Sequence, residues 1–512
     1  MAITFAYGEM IIAIFLISFL IIVLHWSWSD RNSPMRNWPV LGMLPGLFAN
    51  TWHFHEFLAH DVLKKNRGTF EFTGPWFAQM DLIVTSDPMN VHYISSKNFS
   101  NYQKGPDFRM IIEPLGDGVL NADGDLWKIQ RKIIHSVMKH NKFESALEKV
   151  AHQKMETGLI PVLDHASELG TVVDLQDVLK RFAFDNICML VLGIDPNYLS
   201  VEFPQTVYAN AFNTMEQALL YRHIVPKICW KLQKWLQIGE EKKLSRAWQT
   251  FDRFLYERIS SRKANMEKKE EEFDLLTAYM AEEEEEEVKE DEQISALRKT
   301  DKFLRDTAFS FLGAGNDTIS SGLVWFFWLV ATHPSVENKI LKEIKATIVM
   351  HKKEDGERRF FFNTKQANNL VYLHAALCET LRLYPPVPYN HKIAGQADIL
   401  PSGHHIKKNQ TVLISYYAMG RMEEIWGNDC LEFKPERWIS EKGCIVHVPT
   451  YKFTAFHAGP RNCLGKDKAL IQMKMVASAV IGNYHVKVAK GHPVLPRSVI
   501  QEKPLVNSID NL

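Results

Sequence analysis

Cysteine is scarce in this chain, six among 512 residues, at 188, 229, 378, 430, 444 and 463. No two stand at a metal-binding spacing, which argues against a zinc module and a disulfide framework and for a reducing, cytosolic setting. Net charge is missing too: 60 basic and 60 acidic residues cancel, so no basic field exists for nucleic acid and none is expected as a partner. No interval is rich enough in glycine, serine or proline to divide the chain internally, although its length alone would allow about three domains. There is no internal repeat and no glycine-rich nucleotide fingerprint of the Rossmann or flavin kind. What is present is apolar matter: 46% of the residues are hydrophobic, enough for one large core.

Part of that matter is concentrated near the N-terminus. Met10 to Ser29 carries no formal charge and contains the runs Ile11 to Ile17 and Phe19 to Leu24. About 20 apolar residues span a bilayer as a helix. Trp26 and Trp28 suit the interface, and Glu9 before the run with Arg31 and Arg36 after it places the body in the cytosol. With no basic leader and no small-residue cleavage site, the run reads as a retained single-pass anchor rather than a cleaved signal peptide. Residues 1–29 are therefore expected to be a membrane anchor in the lipid bilayer, 30–50, with Pro34, Pro39 and Pro45, a stiff proline-rich hinge, and 51–512 the globular body.

Within the body, Phe70 to Phe72 and Leu82 to Thr85 read as strands, the second ended by Asp87-Pro88. Residues 125–350 read mostly as helices, interrupted by the acidic run Glu282 to Glu287, which is expected to be a solvated connector. Short strands return from Asp398 to Ser415 around a Ser402-Gly403 turn. The expected class is mainly α with small β-sheets.

Cys463 stands in Phe456-His457-Ala458-Gly459-Pro460-Arg461-Asn462-Cys463-Leu464-Gly465. A buried thiol ionises only beside donors or positive charge. Gly459 and Gly465 would let backbone approach a flat ring system, and Arg461 could meet an acidic side arm through charge-assisted bonds. Read alone, the same stretch could be a glycine-rich surface loop around a structural cysteine. Read as F-x-x-G-x-R-x-C-x-G, it resembles the haem-binding loop of the cytochrome P450 monooxygenases. That resemblance implies the cytochrome P450 fold as a single large haem-binding domain behind an N-terminal transmembrane helix. The cofactor would be haem b (heme), its iron bound axially by Cys463.

Phe303 to Val330 is apolar on all sides, which implies burial, yet it carries Gly313-Ala314-Gly315-Asn316-Asp317-Thr318. Gly315 would permit a widened turn. The hydroxyl and carboxyl beside it either relay protons or merely satisfy their own helix. The stretch resembles the A-G-x-D-T segment of the same family's central helix through Ala314, Gly315, Asp317 and Thr318, and this implies that Asp317 and Thr318 deliver protons for oxygen activation. Ile319 replaces a common second threonine, with Ser320 following. Ala314 stands where some relatives carry a glutamate that binds haem covalently, so no such link is expected.

Glu379 and Arg382 share one helix face. With Arg437 in Phe433-Lys434-Pro435-Glu436-Arg437-Trp438 they resemble the family's E-x-x-R and P-E-R-W set, which implies a structural role behind the haem loop. Trp127 and Arg131 match a W-x-x-x-R that holds haem propionates, with Phe456 and Arg461 also at the cofactor and His391 or Lys392 as a further contact, His391 being preferred.

The implied activity is NADPH-driven hydroxylation with O2. Since the chain has no nucleotide fingerprint, electrons would come from the membrane-bound NADPH–cytochrome P450 reductase, at the endoplasmic reticulum membrane. Trp38 to Gly46, Asp117 to Gly124 and Tyr417 to Met422 resemble plant long-chain fatty-acid and alkane hydroxylases, most of all the mid-chain alkane hydroxylases of cuticular wax. Phe108, Ile112, Leu219, Phe309, Gly313 and Val387 are the expected pocket. Apolar pockets separate chain lengths by only about 1–3 kcal/mol per methylene, so the pattern does not fix which carbon is attacked. Two other classes stay open: a haem-thiolate isomerase or dehydratase acting on hydroperoxides without a reductase, and a non-catalytic membrane haem carrier. Thr318 speaks against the first, the Asp317–Thr318 pair against the second.

Overall fold

The computed structural model describes residues 35–78, 80–265, 273–281, 300–351, 361–488 and 506–511, together with 14 and 17–21. One helix organises the rest. Asp301–Thr332 runs 32 residues because Thr300 caps its start, accepting a bond from the Phe303 amide, and Pro334 forbids continuation past His333. Along one side lies the helix Leu175–Leu192, begun by Asp174, whose side chain accepts from the Asp177 amide, and ended by Gly193 at φ 62°. Gly315 is where the two approach: a Cβ there would fall 2.5 Å from Ile187 Cδ1.

Two apolar cores share this central helix. Its first half, Phe303 to Leu312, packs with Phe184 to Leu192, Phe212, Leu219 and Phe251 to Ile259 from the helices Val207–Ile224 and Gly239–Asn265. Its second half, Ile319 to Val330, packs with Leu175 to Phe182 and with the helices Val371–Leu383 and Lys466–Asn483. Each core is a set of apolar helix stripes meeting over the central rod.

The main sheet has five strands: β1 (Thr69–Phe72), β2 (Leu82–Thr85), β3 (Tyr102–Gln103), β4 (Tyr389–Ala394) and β7 (Thr411–Ser415), in the order β1-β2-β7-β4-β3. Only β2 and β7 are parallel. In the β4–β7 register, Asn390 pairs with Ile414, His391 with Leu413 and Lys392 with Val412. Period-two alternation therefore puts Asn390 and Lys392 on one face and His391 on the other. β5 (Asp398–Ile399) and β6 (His405–Ile406) form a hairpin, with Gly403 at φ 84° in its turn. β8 (Tyr484–Val488) pairs with β9 (Val506–Asn511) through a bulge.

The class is thus mainly α with small sheets, as expected. The span expected to be a hinge is packed onto the body from residue 35: Met35 and Leu44 are buried, and the Met43 amide donates to the Thr73 carbonyl at 2.8 Å. Of the expected anchor, positions 14 and 17–21 are helical and exposed, and the remainder lies outside the described residues. Among the described residues no single helix is long and apolar enough to cross a membrane. The acidic run Glu282 to Glu287 also lies outside them.

Candidate functional site

The loop bearing Cys463 closes on itself, the Cys463 amide donating to the Phe456 carbonyl at 2.8 Å. Phe456 lies beside Phe453 and under the Lys466 ammonium. Gly459 is obligatory for a reason other than the one expected. It adopts φ +69°, and a Cβ there would sit 1.7 Å from the Ser95 carbonyl oxygen, so protein backbone, not a ring system, fills that side. At Gly465 a Cβ would make only ordinary contact, 3.7 Å from Met138 Cε and 3.9 Å from Cys463 Sγ, leaving less room about the sulfur. Cys463 is itself exposed. Its enclosed surroundings raise the thiol's pKa through desolvation, opposed by the Gly465 amide, Arg131 and Lys466. Such a thiol stays protonated at neutral pH until a metal ion takes the proton's place.

Ala314 is exposed in the middle of the largely buried central helix, so the body has reachable surface within it at that point. The widened turn expected at Gly315 is absent: the helix continues in α geometry from 301 to 332, and Gly315 serves close packing on Ile187. Thr318 Oγ1 donates to the Ala314 carbonyl at 2.7 Å, and Ser320 likewise bonds back, to Asn316 at 3.1 Å. Asp317 behaves differently. It is 6% exposed, its Oδ1 accepts from Asn316 Nδ2 at 3.2 Å, and its Oδ2 has no partner.

Cations collect on one flank of the cysteine loop. The Arg461 guanidinium lies over Trp127, 4.5 Å from the ring, and pairs with Asp123 at 2.6 Å while its buried Nε stays unpartnered. Arg131 donates to the Asn462 carbonyl at 2.9 Å and to its side chain, fixing the residue before the thiol. Lys392 is 2% exposed and its ammonium lies 5.6 Å from the Phe99 ring; burial pushes its pKa well down, with Lys104 and Arg461 adding to the effect and Asp123 opposing it. Lys104 donates to Asn390 Oδ1 at 3.3 Å and is lowered to about 7 by burial and by Arg461. Neither lysine forms an ion pair among the described residues. The choice of His391 needs correcting here. Its ring lies against Phe108 and His223, at 5.2 and 6.2 Å, so strand alternation leaves Lys392 as the member of the pair beside Arg461.

Behind the loop, Glu379, Arg382 and Arg437 do meet. Arg382 grips Glu379 with two bonds of 2.7 and 2.8 Å, both side chains fully buried, and Arg437 Nε adds a third at 3.1 Å. The Lys434 amide and Trp438 Nε1 complete the carboxylate at 3.0 and 2.9 Å. The guanidinium groups also donate to carbonyls of Gly420, Cys430, Glu432, Trp426 and Asp429, and Arg437 to the Asp429 carboxylate at 3.0 Å. Lys434 and Arg437 hold the Asp429 carboxyl down to about 2.

Of the expected pocket, Phe108 and Val387 are half-buried, Ile112 and Leu219 lie in the first core, and Gly313 faces Phe212 Cζ at 3.6 Å. Phe309 is core: it is wedged between Phe212, Phe251 and the Arg305 guanidinium. Sequence marks Lys392 only as the lesser alternative to His391. Lys104 and Glu216, which approaches Asp317 from Val207–Ile224, carry no local sequence signal that marks them.

These residues fit a flat, doubly acidic iron porphyrin. They offer an exposed thiol, a small exposed residue on the central helix, and buried cations with an orphaned guanidinium nitrogen for the acid arms. Cys463 would hold the metal; Trp127, Arg131, Lys392 and Arg461 would hold the periphery. A family model described as Cytochrome P450 matches residues 33–506. The alkane hydroxylase MAH1 of Arabidopsis thaliana is 42% identical over 466 residues, 90% of either chain. Noroxomaritidine synthase 2 of Narcissus aff. pseudonarcissus MK-2014 is 41% identical, over 95% of this chain and 93% of its own. Cytochrome P450 86B1 of Arabidopsis thaliana is 40% identical, over 96% and 86%.

Proposed function

The chain belongs to the cytochrome P450 family of haem-thiolate monooxygenases, with haem b iron bound by Cys463, and on that premise we propose that it hydroxylates a long-chain aliphatic substrate, an alkane or a fatty acid. The observation that carries the substrate reading is the 42% identity to an alkane hydroxylase across nine-tenths of both chains. Apolar Ile112 and Leu219 in the first core, and Gly313 against its Phe212, agree with it, because they offer a chain dispersion contact and no side-chain hydrogen bond. A relative named for noroxomaritidine is nearly as similar, so the substrate requires direct assay.

Bound haem supplies oxygen activation, favoured by electron density from the thiolate. The chain's own residues do the rest. Arg131 fixes Asn462 and with it the cysteine's approach. Lys392 and Arg461 neutralise the acid arms. Asp317 Oδ2 takes up and gives on a proton, and Thr318 Oγ1 passes one inward when it leaves the Ala314 carbonyl. Glu379, Arg382 and Arg437 are structural.

Electrons come from NADPH–cytochrome P450 reductase at the endoplasmic reticulum membrane. A bilayer partner is supported by the helix Lys227–Leu236, whose Ile228, Leu232 and Trp235 share one face and are strongly exposed, Trp235 by 78%. Trp38, Val40, Leu41 and Trp76 are exposed as well.

The test is incubation of microsomes bearing the protein with alkanes and fatty acids, with and without NADPH and reductase, followed by product mass spectra. Alcohols formed only with NADPH are expected; turnover of a hydroperoxide without NADPH would instead indicate an isomerase. Cys463→Ala should abolish both product and the red-shifted Soret band of the reduced carbon monoxide complex.

A further inference from the structure

Asp317 poses a problem that its own helix does not solve. A carboxylate oxygen buried without a donor is costly, and nearly every such oxygen in a folded protein is satisfied. Oδ2 of Asp317 is not, although the side chain is 6% exposed. The helix Val207–Ile224 supplies what approaches it. Phe212 of Val207–Ile224 touches Gly313, its Cζ 3.6 Å from where a Cβ would be, and its ring lies 5.9 Å from that of Phe309. Glu216 follows Phe212 by four residues on that helix, and Asp317 follows Gly313 by four on the central one. The two carboxyl groups meet there, within hydrogen-bonding reach.

Two ionised carboxylates in this position would only repel, and neither could satisfy the other. With one proton between them, an O–H donates across the gap and the orphaned oxygen gains its donor. Burial and the Asp317 charge both favour the protonated form of Glu216, raising its pKa well above the ordinary range, against one opposing cation, Lys180 on Leu175–Leu192. We propose that Glu216 and Asp317 share a single proton, and that Glu216 is the positioning residue that holds this proton at Asp317, beside Thr318. When the shared proton moves on toward Thr318, both carboxyls are left ionised, and their repulsion draws a replacement from water. The pair is coupled, so its titration belongs to both residues together. The inference rests on the role given above to Asp317 and Thr318.

The test uses the full-length, haem-loaded protein and begins without turnover. Infrared spectra of the resting enzyme in H2O and D2O across pH should show a protonated-carboxyl band that persists above the ordinary glutamate range. Glu216→Gln should remove it, and Asp317→Asn should lower its midpoint because the like charge is gone. A band that survives Glu216→Gln, or a midpoint unmoved in Asp317→Asn, overturns the shared proton. Glu216→Gln should also divert several-fold more NADPH to hydrogen peroxide at unchanged KM; unchanged coupling despite the lost band would make the pair merely structural. If instead Thr318→Ala stays fully coupled while the infrared result holds, the relay reading fails and the shared proton stands.

Discussion

Two buried acid sites in this molecule are built in opposite ways. At Glu379 both carboxylate oxygens are saturated by two arginines, an indole and an amide, and the guanidinium hydrogens are spent on carbonyls. At Asp317 one oxygen has no donor and the approaching side chain is another acid. A satisfied network has one low-energy arrangement and resists change, so it serves as a fixed support. Two acids in contact hold one proton between them, which suits its transfer.

The contrast can be broken at the rigid end first. Glu379→Ala leaves Arg382 charged and fully buried, and such a loss costs about 3–5 kcal/mol. Urea unfolding should show it, together with failure to retain haem; a haem-loaded variant of unchanged midpoint would contradict the structural assignment. Thr318→Ala probes the other end. It should leave stability nearly untouched but cut product per NADPH by about 100-fold, the low end for a lost proton-transfer group, read as peroxide released.

Smaller effects sharpen the picture. Lys392→Ala should weaken haem retention by about tenfold, since a bond to a charged group contributes about 1.5–3 kcal/mol, whereas His391→Ala should leave retention alone and alter substrate binding instead. Haem transfer to apomyoglobin measures both. Lys474 provides a pH test away from either site. Burial lowers its pKa to about 8, although Cys378 and Glu343 oppose the shift. Between about 8 and the ordinary lysine value near 10.5 the unfolded chain binds more protons than the fold, so stability rises with pH across that window. Lys474→Met should flatten the rise, gaining most below pH 8; an unchanged slope would show that the lysine is not the cause.

Local pattern made much of this legible. Cys463 and its loop, Glu379 with Arg382 three residues on, and Trp127 with Arg131 four on are short spacings that one helix or loop preserves. Strands β1, β2 and the 398–415 region follow from β-branched runs and turn residues. What escaped depends on pairing across the chain. Which of His391 and Lys392 faces Arg461 is decided by how β4 registers on β7, and nothing near residue 391 encodes that. Gly315 looked like a weak point in a helix because sequence does not reveal Ile187 pressing on it. Glu216 is one charged residue among many until the fold carries it to Asp317.

The abutment of Gly459 on Ser95 bears on how the protein is assembled. The cysteine loop, near the end of the chain, takes its shape against a backbone oxygen from near its beginning, within 1.7 Å of where any Cβ at 459 would lie. Closing so long a loop is entropically costly, and the cysteine loop cannot take this shape until residues 95 and 459 have met.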